Sequence, residues 1–317
     1  MENSKKLSIG IAVISAADRE HIEHSIPPLI DSHLEPKVLL INTSSNDGTV
    51  EEAENLGVET ITIPKSHFNH GSTREMARSV LDTDIVIYMT PRTYILDHEV
   101  LPALIAPLLK GEAAVSYGRQ ISHKDADFFA RFVQDFNFPT KSHIRSIKDV
   151  SKYGPYTFFC SNHFAAYRND VLDKIGGIPS TLSAEDICTT AKILIKGYKI
   201  AYVAEAMVKQ SQNHTIEDEF RFHFDQGYVR RENHSILKYA GLHEIRKKHY
   251  SLKLIGAVAK EEPLLLPFAC AYIASQWLGF IMGQASHQAP LWLRKFMSSQ
   301  EEYWTSDDFI KTLKKNA

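Results

Sequence analysis

The stretch LSIGIAVI, Leu7–Ile14, decides the fold. It is apolar and uncharged, as expected of a strand that is covered on both faces of a sheet. Two similar stretches follow, KVLLI at Lys37–Ile41 and DIVIYM at Asp84–Met89, and residues between the three can form helices. Val58–Ile63 alternates between polar and apolar side chains, which is typical of an edge strand. This alternation of strands and helices predicts an α/β fold, a mostly parallel sheet with right-handed crossovers and flanking helices.

Length and composition indicate a globular intracellular protein. A chain of 317 residues suggests two domains or one large domain with an appendage. The net charge of −2, from 36 basic and 38 acidic side chains, offers no electrostatic case for nucleic acid. Three widely spaced cysteines fit reduced thiols of a cytosolic chain better than a disulfide framework. The polar start, Met1–Lys6, does not resemble a signal peptide.

The loops after the predicted strands are the expected ligand-binding segments, because ligands of such sheets lie at the carboxyl ends of the strands. The loop Asn42–Thr49 carries short polar side chains and backbone N–H groups that can bind an oxygen-rich ligand, or it is a plain strand-to-helix turn. No GxGxxG follows Ile14 and no Walker lysine is present, so dinucleotide and P-loop sites are disfavoured. The loops of interest are Ser15–Arg19, Asn42–Thr49, His67–Arg74 and Thr90–Thr93.

Two adjacent carboxylates, Glu185 and Asp186, stand immediately before the predicted helix Ile187–Lys196. Ser183 and Asp186 have the spacing of a near capping box, and the helix dipole favours the ionised form of Asp186. From the residues alone, Asp186 is either a general base or a helix cap.

The chain resembles the inverting family 2 glycosyltransferases of the GT-A fold, and among them the bacterial rhamnosyltransferases. The resemblance covers about Leu7 to Trp304 and rests on the order and spacing of short motifs. These motifs are the Asn42–Thr49 loop, FNHGSTR at Phe68–Arg74, YGRQ at Tyr117–Gln120, SNHFAAYR at Ser161–Arg168, Gly176–Gly177, Glu185–Asp186, GYKIAYVAEA at Gly197–Ala206 and PLWL at Pro290–Leu293.

This resemblance implies a catalytic GT-A-like domain over residues 1–208 and a helical carboxyl-terminal region over 209–317. Asp186 would act as the base that activates an acceptor hydroxyl, with Glu185 beside it. The implied donor is dTDP-L-rhamnose, and the implied acceptor is a lipid-linked or other saccharide of a surface polysaccharide. The residues implied to bind the nucleotide sugar are Ser15, Asn42, Ser44, Asp47, Arg74, Arg92 and Gln120, and those implied near the sugar and acceptor are Asn162 and Arg119.

Three positions depart from the family pattern of metal binding. Arg92 stands where the family has an acidic metal ligand, and Gln210 and Gln212 stand where it has histidines. One interpretation is that Arg92 replaces the metal ion at the diphosphate, so that no cofactor is needed. The other is a catalytically silent scaffold in a polysaccharide assembly complex. Retention of Glu185–Asp186 favours the first, with further diphosphate contacts from Arg74, Lys209 and the pair Arg230–Arg231.

The carboxyl-terminal third contains an apolar stretch, Pro263–Gly283, that has no charged side chain. It is long enough to span a bilayer, but Pro267, Ser275 and Gln276 interrupt it. We therefore expect either a helix in the membrane interface, flanked by basic residues, or a helical pair buried on the catalytic domain or in a homodimer. The first alternative places the protein at the cytoplasmic face of the plasma membrane. The aromatic stretch Phe128–Phe138 is core packing or an acceptor platform.

Overall fold

The computed structural model describes residues 7–238 and 243–310 as an α/β domain followed by helices. The strands are β1 (Ile9–Ser15), β2 (Lys37–Asn42), β3 (Glu59–Thr62), β4 (Ile85–Met89), β5 (Tyr94–Ile95), β6 (Val115–Ile121), β7 (His143–Arg145), β8 (Phe164–Arg168) and β9 (Ile200–Lys209). The helices of the α/β part are α1 (Arg19–Ser25), α2 (Pro27–Ile30), α3 (Thr49–Asn55), α4 (His70–Leu81), α5 (Val100–Leu109), α6 (Phe128–Asn137), α7 (Val150–Tyr153), α8 (Asn169–Lys174) and α9 (Glu185–Ile195). The carboxyl-terminal helices are α10 (Ile216–Glu232), α11 (His234–Leu237), α12 (His243–Glu261), α13 (Leu266–Ala285) and α14 (Leu291–Met297).

One sheet in the order β3-β2-β1-β4-β8-β6-β9-β5 forms the centre, and β7 also pairs with β9. The predicted α/β fold is confirmed. Strands β3, β2, β1 and β4 are mutually parallel, as are β6 and β9, whereas β8 runs antiparallel to both of its neighbours. Every residue of β1 is buried, because helices and their apolar side chains cover both faces of the sheet. The predicted edge strand is β3, whose side chains remain partly exposed.

The strand register brings the predicted ligand loops to one edge. Ser15 pairs with Asn42 at the ends of β1 and β2. Met89, at the end of β4, pairs with Phe164 at the start of antiparallel β8. The loop that follows β4 therefore lies beside the Ser161–His163 segment that precedes β8, and both reach the edge where the β1 and β2 loops lie.

The carboxyl-terminal helices pack on the sheet domain and on each other. Helices α10 and α13 approach closely at glycines: a Cβ on Gly227 would overlap the carbonyl oxygen of Phe280, and one on Gly283 would overlap that of Phe224. The charged stretch Phe220–Gly241 has the pattern of a helix, and it corresponds to α10 and α11, with its residues 239–241 outside the described residues. Aromatic residues of α6 pack against α12 and α13, with Phe129 next to Tyr272 at a ring-centroid distance of 4.8 Å. The core-packing interpretation of this stretch therefore holds for Phe129.

Among the described residues, one stretch, Pro263–Gln288, is long and apolar enough to cross a membrane, with a mean hydropathy of 1.6. Only 33% of its most apolar window is buried in the protein. The inner face of α13 contacts α10, whereas Leu278 and Ile281 are more than half exposed. Helix α13 is thus held by the protein on one side and presents an apolar outer side.

The glycine contacts make a prediction about stability. Gly283→Ala is expected to lower the melting temperature, because the added methyl group separates α10 from α13 and opens space in a packed interface. Gly256→Ala on α12 is the matched control, because a Cβ there meets no atom within 4 Å. It should raise stability by about 0.5–1 kcal/mol through helix propensity alone. Equal melting temperatures for the two variants would contradict the close α10–α13 contact.

Candidate active site

The two carboxylates lie in the first turn of α9, whose start differs from the predicted one. Ala184 precedes the helix in the left-handed region with φ +54° and provides no side-chain cap. The predicted capping box is wrong, since the buried Ser183 hydroxyl has no hydrogen-bond partner among the described residues. The turn at Ala184 instead directs Glu185 into the protein and leaves Asp186 half-buried.

Glu185 is held by a guanidinium and an amide. Arg74 Nη1 lies 3.0 Å from Glu185 Oε1, and both side chains are almost fully buried. Asn162 Nδ2 donates to the same oxygen at 3.0 Å, while Tyr167 Oη donates to Asn162 Oδ1 at 2.7 Å. Burial opposes ionisation of Glu185, but Arg74, His70 and the hydrogen bond from Asn162 together outweigh it and lower the pKa of this carboxyl. Glu185 is therefore a fixed carboxylate.

Asp186 has the opposite electrostatic environment. Burial, followed by the adjacent negative charge of Glu185, raises the pKa of Asp186 to about 7, although Ile187 N–H donates to its Oδ1 at 2.8 Å. The expected dominance of the helix dipole is thus wrong at this position, because burial and a like charge outweigh it. Two neighbouring carboxyls whose pKa values are pushed apart indicate an acid–base role for the one that titrates near neutrality. That carboxyl is Asp186.

The segment before β8 connects the carboxylates to the loop after β4. Asn162 contacts Glu185, and the next residue, His163, has its Nδ1 3.4 Å from Thr90 Oγ1. Thr93 Oγ1 donates to the His163 carbonyl oxygen at 3.0 Å. The structure therefore brings together the catalytic candidates and the loop that carries Arg92.

The predicted nucleotide loop is built around Asn42 and Asp47. Asn42 is fully buried, and its Nδ2 donates to Ser15 Oγ at 2.9 Å and to the Ala16 carbonyl oxygen at 2.7 Å. An aspartate at this position would lack these two donors, which explains why an amide suits the site. The buried side chains of Asn42 and Ser15 thus join the loops that follow β2 and β1. The side chain of Ser44 is exposed to solvent.

Asp47 organises the other end of the same loop. It accepts hydrogen bonds from the Thr49 and Ser45 hydroxyls at 2.7 Å each and from the Arg19 backbone N–H at 3.2 Å. Burial opposes its ionisation, but these hydrogen bonds outweigh it and lower the pKa of Asp47 to about 2. The loop carries a permanent negative charge that is already satisfied by the protein.

A cationic cleft of about 490 Å³ lies between the β1, β4, β6 and β9 loops. It contains two of the predicted diphosphate residues, Arg92 and Lys209, together with Lys124 and His123, which sequence reasoning missed. Arg92 Nε is 3.7 Å from Asp18 Oδ1, and its side chain is 42% exposed, so the guanidinium remains accessible to a ligand. Lys124 lies more than thirty positions along the chain from both Arg92 and Lys209, and no local sequence pattern marks it as a ligand-binding residue.

The residues of this cleft do not fit a divalent metal ion. Within residues 7–238 and 243–310, no three His, Cys, Asp or Glu side chains converge at a distance suited to a cation. Gln212 lines the cleft and is exposed, whereas Gln210 is buried and accepts a hydrogen bond from Gln134 Nε2 at 3.1 Å. His21, His24, His123 and Asp125 also line the cleft, but they do not form a group of three that could hold an ion. The cation at Arg92 and the amide at Gln212 are poorer ligands than the carboxylates and imidazoles that bind Mg²⁺, Mn²⁺ or Zn²⁺.

The remaining predicted residues occupy other positions. Gln120 is buried and donates to Ser161 Oγ at 2.9 Å, which places it behind the segment that holds Asn162. Arg119 lies in β6 at the register shift against β9, and its buried Nε has no partner among the described residues. Arg230 lines a different pocket from Arg92, and Arg231 is exposed and lines neither cavity.

Comparison with known proteins identifies the family. Residues 12–176 match the family described as Glycosyl transferase family 2. The chain is 33% identical over 273 residues to the O-antigen chain rhamnosyltransferase RfbN of Salmonella typhimurium, covering 85% of this chain and 87% of that protein. It belongs to glycosyltransferase family 2. The rhamnosyltransferase WbaN of Salmonella anatum is 32% identical over 272 residues, covering 85% of this chain and 86% of that one.

Two solved structures share the fold of this family 2 enzyme. A mannosyltransferase from Pyrobaculum calidifontis, solved with GDP-Man and Mn²⁺, superposes with a TM-score of 0.59, covering 90% of this chain and 88% of that chain at 13% identity. S. aureus TarS 1–349 with UDP-GlcNAc gives a TM-score of 0.52, with 89% and 92% coverage at 13% identity. At these identities the similarity supports the GT-A fold alone. The predicted family, fold and enzyme class are confirmed.

Proposed function

We propose that this glycosyltransferase transfers L-rhamnose from dTDP-L-rhamnose to a saccharide acceptor, with inversion and without a metal ion. The single observation that carries the catalytic part is the carboxyl pair in α9, in which Glu185 is paired with Arg74 and Asp186 titrates near neutrality. The names of the two Salmonella relatives support the rhamnosyl group. The motifs that resemble the rhamnosyltransferases support dTDP as the nucleotide.

In the proposed reaction, Asp186 removes the proton from an acceptor hydroxyl. The oxygen then bonds to the anomeric carbon from the face opposite the diphosphate, and the bond between that carbon and the diphosphate oxygen breaks. The electron pair of the broken bond goes to the diphosphate, so the configuration at the carbon inverts. Glu185 is unsuited to the base role, because its ion pair with Arg74 lowers its affinity for a proton.

Cationic side chains would stabilise the leaving diphosphate. Arg92, Lys124 and Lys209 line one cleft at the sheet edge, and a guanidinium can bind two phosphate oxygens at once. Preorganised positive charge of this kind performs the electrostatic part of a metal ion's function. This is the physical basis for proposing a metal-independent enzyme.

Calorimetric titration of the full chain with dTDP-L-rhamnose, UDP-glucose and GDP-mannose tests the donor assignment. We expect dTDP-L-rhamnose to bind most tightly, by about tenfold or more, since a site built for one base and sugar leaves polar groups unpaired with another. Preference for either of the other donors would refute the proposed donor. Failure of all three to bind would refute catalysis and support the non-catalytic scaffold.

The pH dependence of turnover follows from Asp186. Because a general base acts in its ionised form, kcat is expected to rise with pH and to level off above pH about 7. Below that value kcat should fall about tenfold per pH unit. Steady-state rates at saturating donor measure this, and donor affinity at the same pH values is the control. A kcat independent of pH across this range, with chemistry rate-limiting, would contradict the role of Asp186.

We also propose that the outer side of α13 and α14 lies on the cytoplasmic face of the plasma membrane. Leu278, Ile281, Trp292 and Phe296 are all more than half exposed, and such apolar faces suit the interface of a bilayer. Co-sedimentation with vesicles containing anionic lipid should fall in a Trp292→Glu, Phe296→Glu variant. Val80→Glu, at a 44% exposed apolar site on α4, is the control. Unchanged sedimentation of the double variant would refute this contact.

A further inference from the structure

A second cavity, of about 80 Å³, lies where the carboxyl-terminal helices meet the catalytic domain. Ala184 and Ile187, the residues on either side of the Glu185–Asp186 pair, form part of its wall. Gln226 and Arg230 of α10 and Arg246 of α12 form the opposite part. The cavity therefore lies beside the turn of chain that carries the proposed base, and it shares no lining residue with the cationic cleft that contains Arg92.

Arg246 is a cation of this cavity whose contacts are an amide and aromatic rings. Its Nη2 donates to Asn137 Oδ1 at 2.6 Å, and its Cζ lies 4.4 Å from the ring centre of Tyr156. No ion pair joins Arg246 to any carboxylate of the residues that the structure describes. Burial lowers the pKa of Arg246 to about 10, so the guanidinium still carries its charge at neutral pH.

A second guanidinium, that of Arg145, lies against Tyr156, which lines the cavity. Arg145 is completely buried, and its Cζ lies 4.6 Å from the ring centre of Tyr156. Its donors are used by Tyr117 Oη at 2.7 Å and by the carbonyl oxygens of Phe159 and Tyr156. The acceptors around Arg145 are thus neutral, and its buried Nε has no partner among the described residues, whereas Arg246 donates from Nη2 to Asn137.

This arrangement favours an anionic ligand. Arg246 is half-buried, and a cation that is partly removed from water without a counter-charge costs free energy, which is recovered when a carboxylate or phosphate binds. The planar guanidinium matches such oxyanions in a bidentate geometry. The apolar side chains around it, including Phe159 and Ile187, can contact the apolar face of a sugar ring and exclude water.

We propose that this cavity is the acceptor subsite and that Arg246 binds an oxyanion carried by the acceptor saccharide close to the hydroxyl that is glycosylated. The inference rests on the proposed function, because it uses Asp186 as the base next to the cavity. It gives the carboxyl-terminal helices a role in substrate selection. The oxyanion is a sugar carboxylate or a sugar phosphate.

Binding of small saccharides to the full chain, saturated with dTDP to fill the donor cleft, tests the proposal. The probes are methyl α-D-glucuronide, α-D-glucose 1-phosphate and the neutral methyl α-D-glucoside. Saturation-transfer NMR titration measures the affinity of the protein for each probe. At least one anionic probe should bind about tenfold or more tightly than the glucoside, as a charge-assisted hydrogen bond predicts. The glucuronide and the phosphate arms distinguish the two sources of the oxyanion.

Variants assign the binding to the cavity. Arg246→Met should remove the preference for the anionic probe, and Arg246→Lys should retain part of it. Gln226→Trp places a larger side chain of α10 in the cavity and should weaken the binding of all probes. Lys248→Met is the matched control on α12, because this exposed cation lies outside the cavity. Affinity for dTDP should be the same in all variants, which also shows that they fold.

Two outcomes would overturn the proposal. One is equal affinity for the anionic and neutral probes in the wild-type protein. The other is an anionic preference that survives in both Arg246→Met and Gln226→Trp. Failure of the wild-type protein to bind dTDP would instead contradict the proposed function, so the two failures are distinguishable.

Discussion

Asp186→Asn is expected to lower kcat by about 10²–10⁴-fold, the usual contribution of a positioned general base. The amide has nearly the same shape as the carboxyl but cannot accept the acceptor proton. Donor affinity should be unchanged, because Asp186 is not among the residues that line the cleft that contains Arg92. Stopped assays of sugar transfer, with calorimetry of the donor on the same preparation, measure both quantities.

The stability of this variant supplies an internal check. The pKa of Asp186 is raised in the folded protein, so its ionisation destabilises the fold as pH rises from the unfolded value of about 4 through about 7. Above neutral pH, Asp186→Asn should therefore melt no lower than the wild-type protein. Asp31→Asn, an exposed aspartate at the end of α2, is the matched control and should retain full activity. A fully active Asp186→Asn enzyme would refute the assignment of the base.

Arg74→Met is expected to destabilise the protein by about 3–5 kcal/mol, because it leaves Glu185 as a buried carboxylate without its guanidinium. A loss of this size lowers the melting temperature by on the order of 10 °C. The pH profile of any remaining activity should also change, since a Glu185 without Arg74 takes up a proton more readily and no longer raises the pKa of Asp186 as strongly. Thermal denaturation and kcat against pH measure the two effects.

Two further variants separate the ion pair from general damage. Adding Glu185→Gln to Arg74→Met removes the uncompensated charge and should restore part of the lost stability, as a double-mutant cycle would show. Arg168→Met breaks an exposed pair with Asp170, in which the Nε–Oδ1 distance is 2.9 Å, and should cost at most about 1 kcal/mol. If Arg74→Met were no more harmful than Arg168→Met, the Arg74–Glu185 pair would not organise the site.

The strands and the family could be predicted from the sequence because both depend on local patterns. LSIGIAVI is apolar throughout, and β1 is buried on both faces as that pattern requires. The Glu185–Asp186 pair was also visible, because it stands next to a clear helical pattern. The fold class and the position of the proposed base thus follow from residues that are adjacent in the chain.

The partners of these residues could not be predicted, since they come from distant segments. Arg74 was assigned to the nucleotide sugar, but the fold places it 3.0 Å from Glu185, more than a hundred positions away. The capping box failed because Ala184 adopts a left-handed turn that no local rule predicts for alanine. Arg246 had no sequence signal at all, because its position depends on how α12 packs beside Tyr156.

The claim that cationic side chains replace the metal ion is tested by the rate of sugar transfer from dTDP-L-rhamnose in EDTA and in Mn²⁺, for the wild-type enzyme and Arg92→Ala. We predict equal wild-type rates in both solutions, and a rate for Arg92→Ala that is lower by about 10²–10³-fold, as for loss of one preorganised electrostatic contact. A wild-type rate that is abolished by EDTA and restored by Mn²⁺, with Arg92→Ala unaffected, would contradict it.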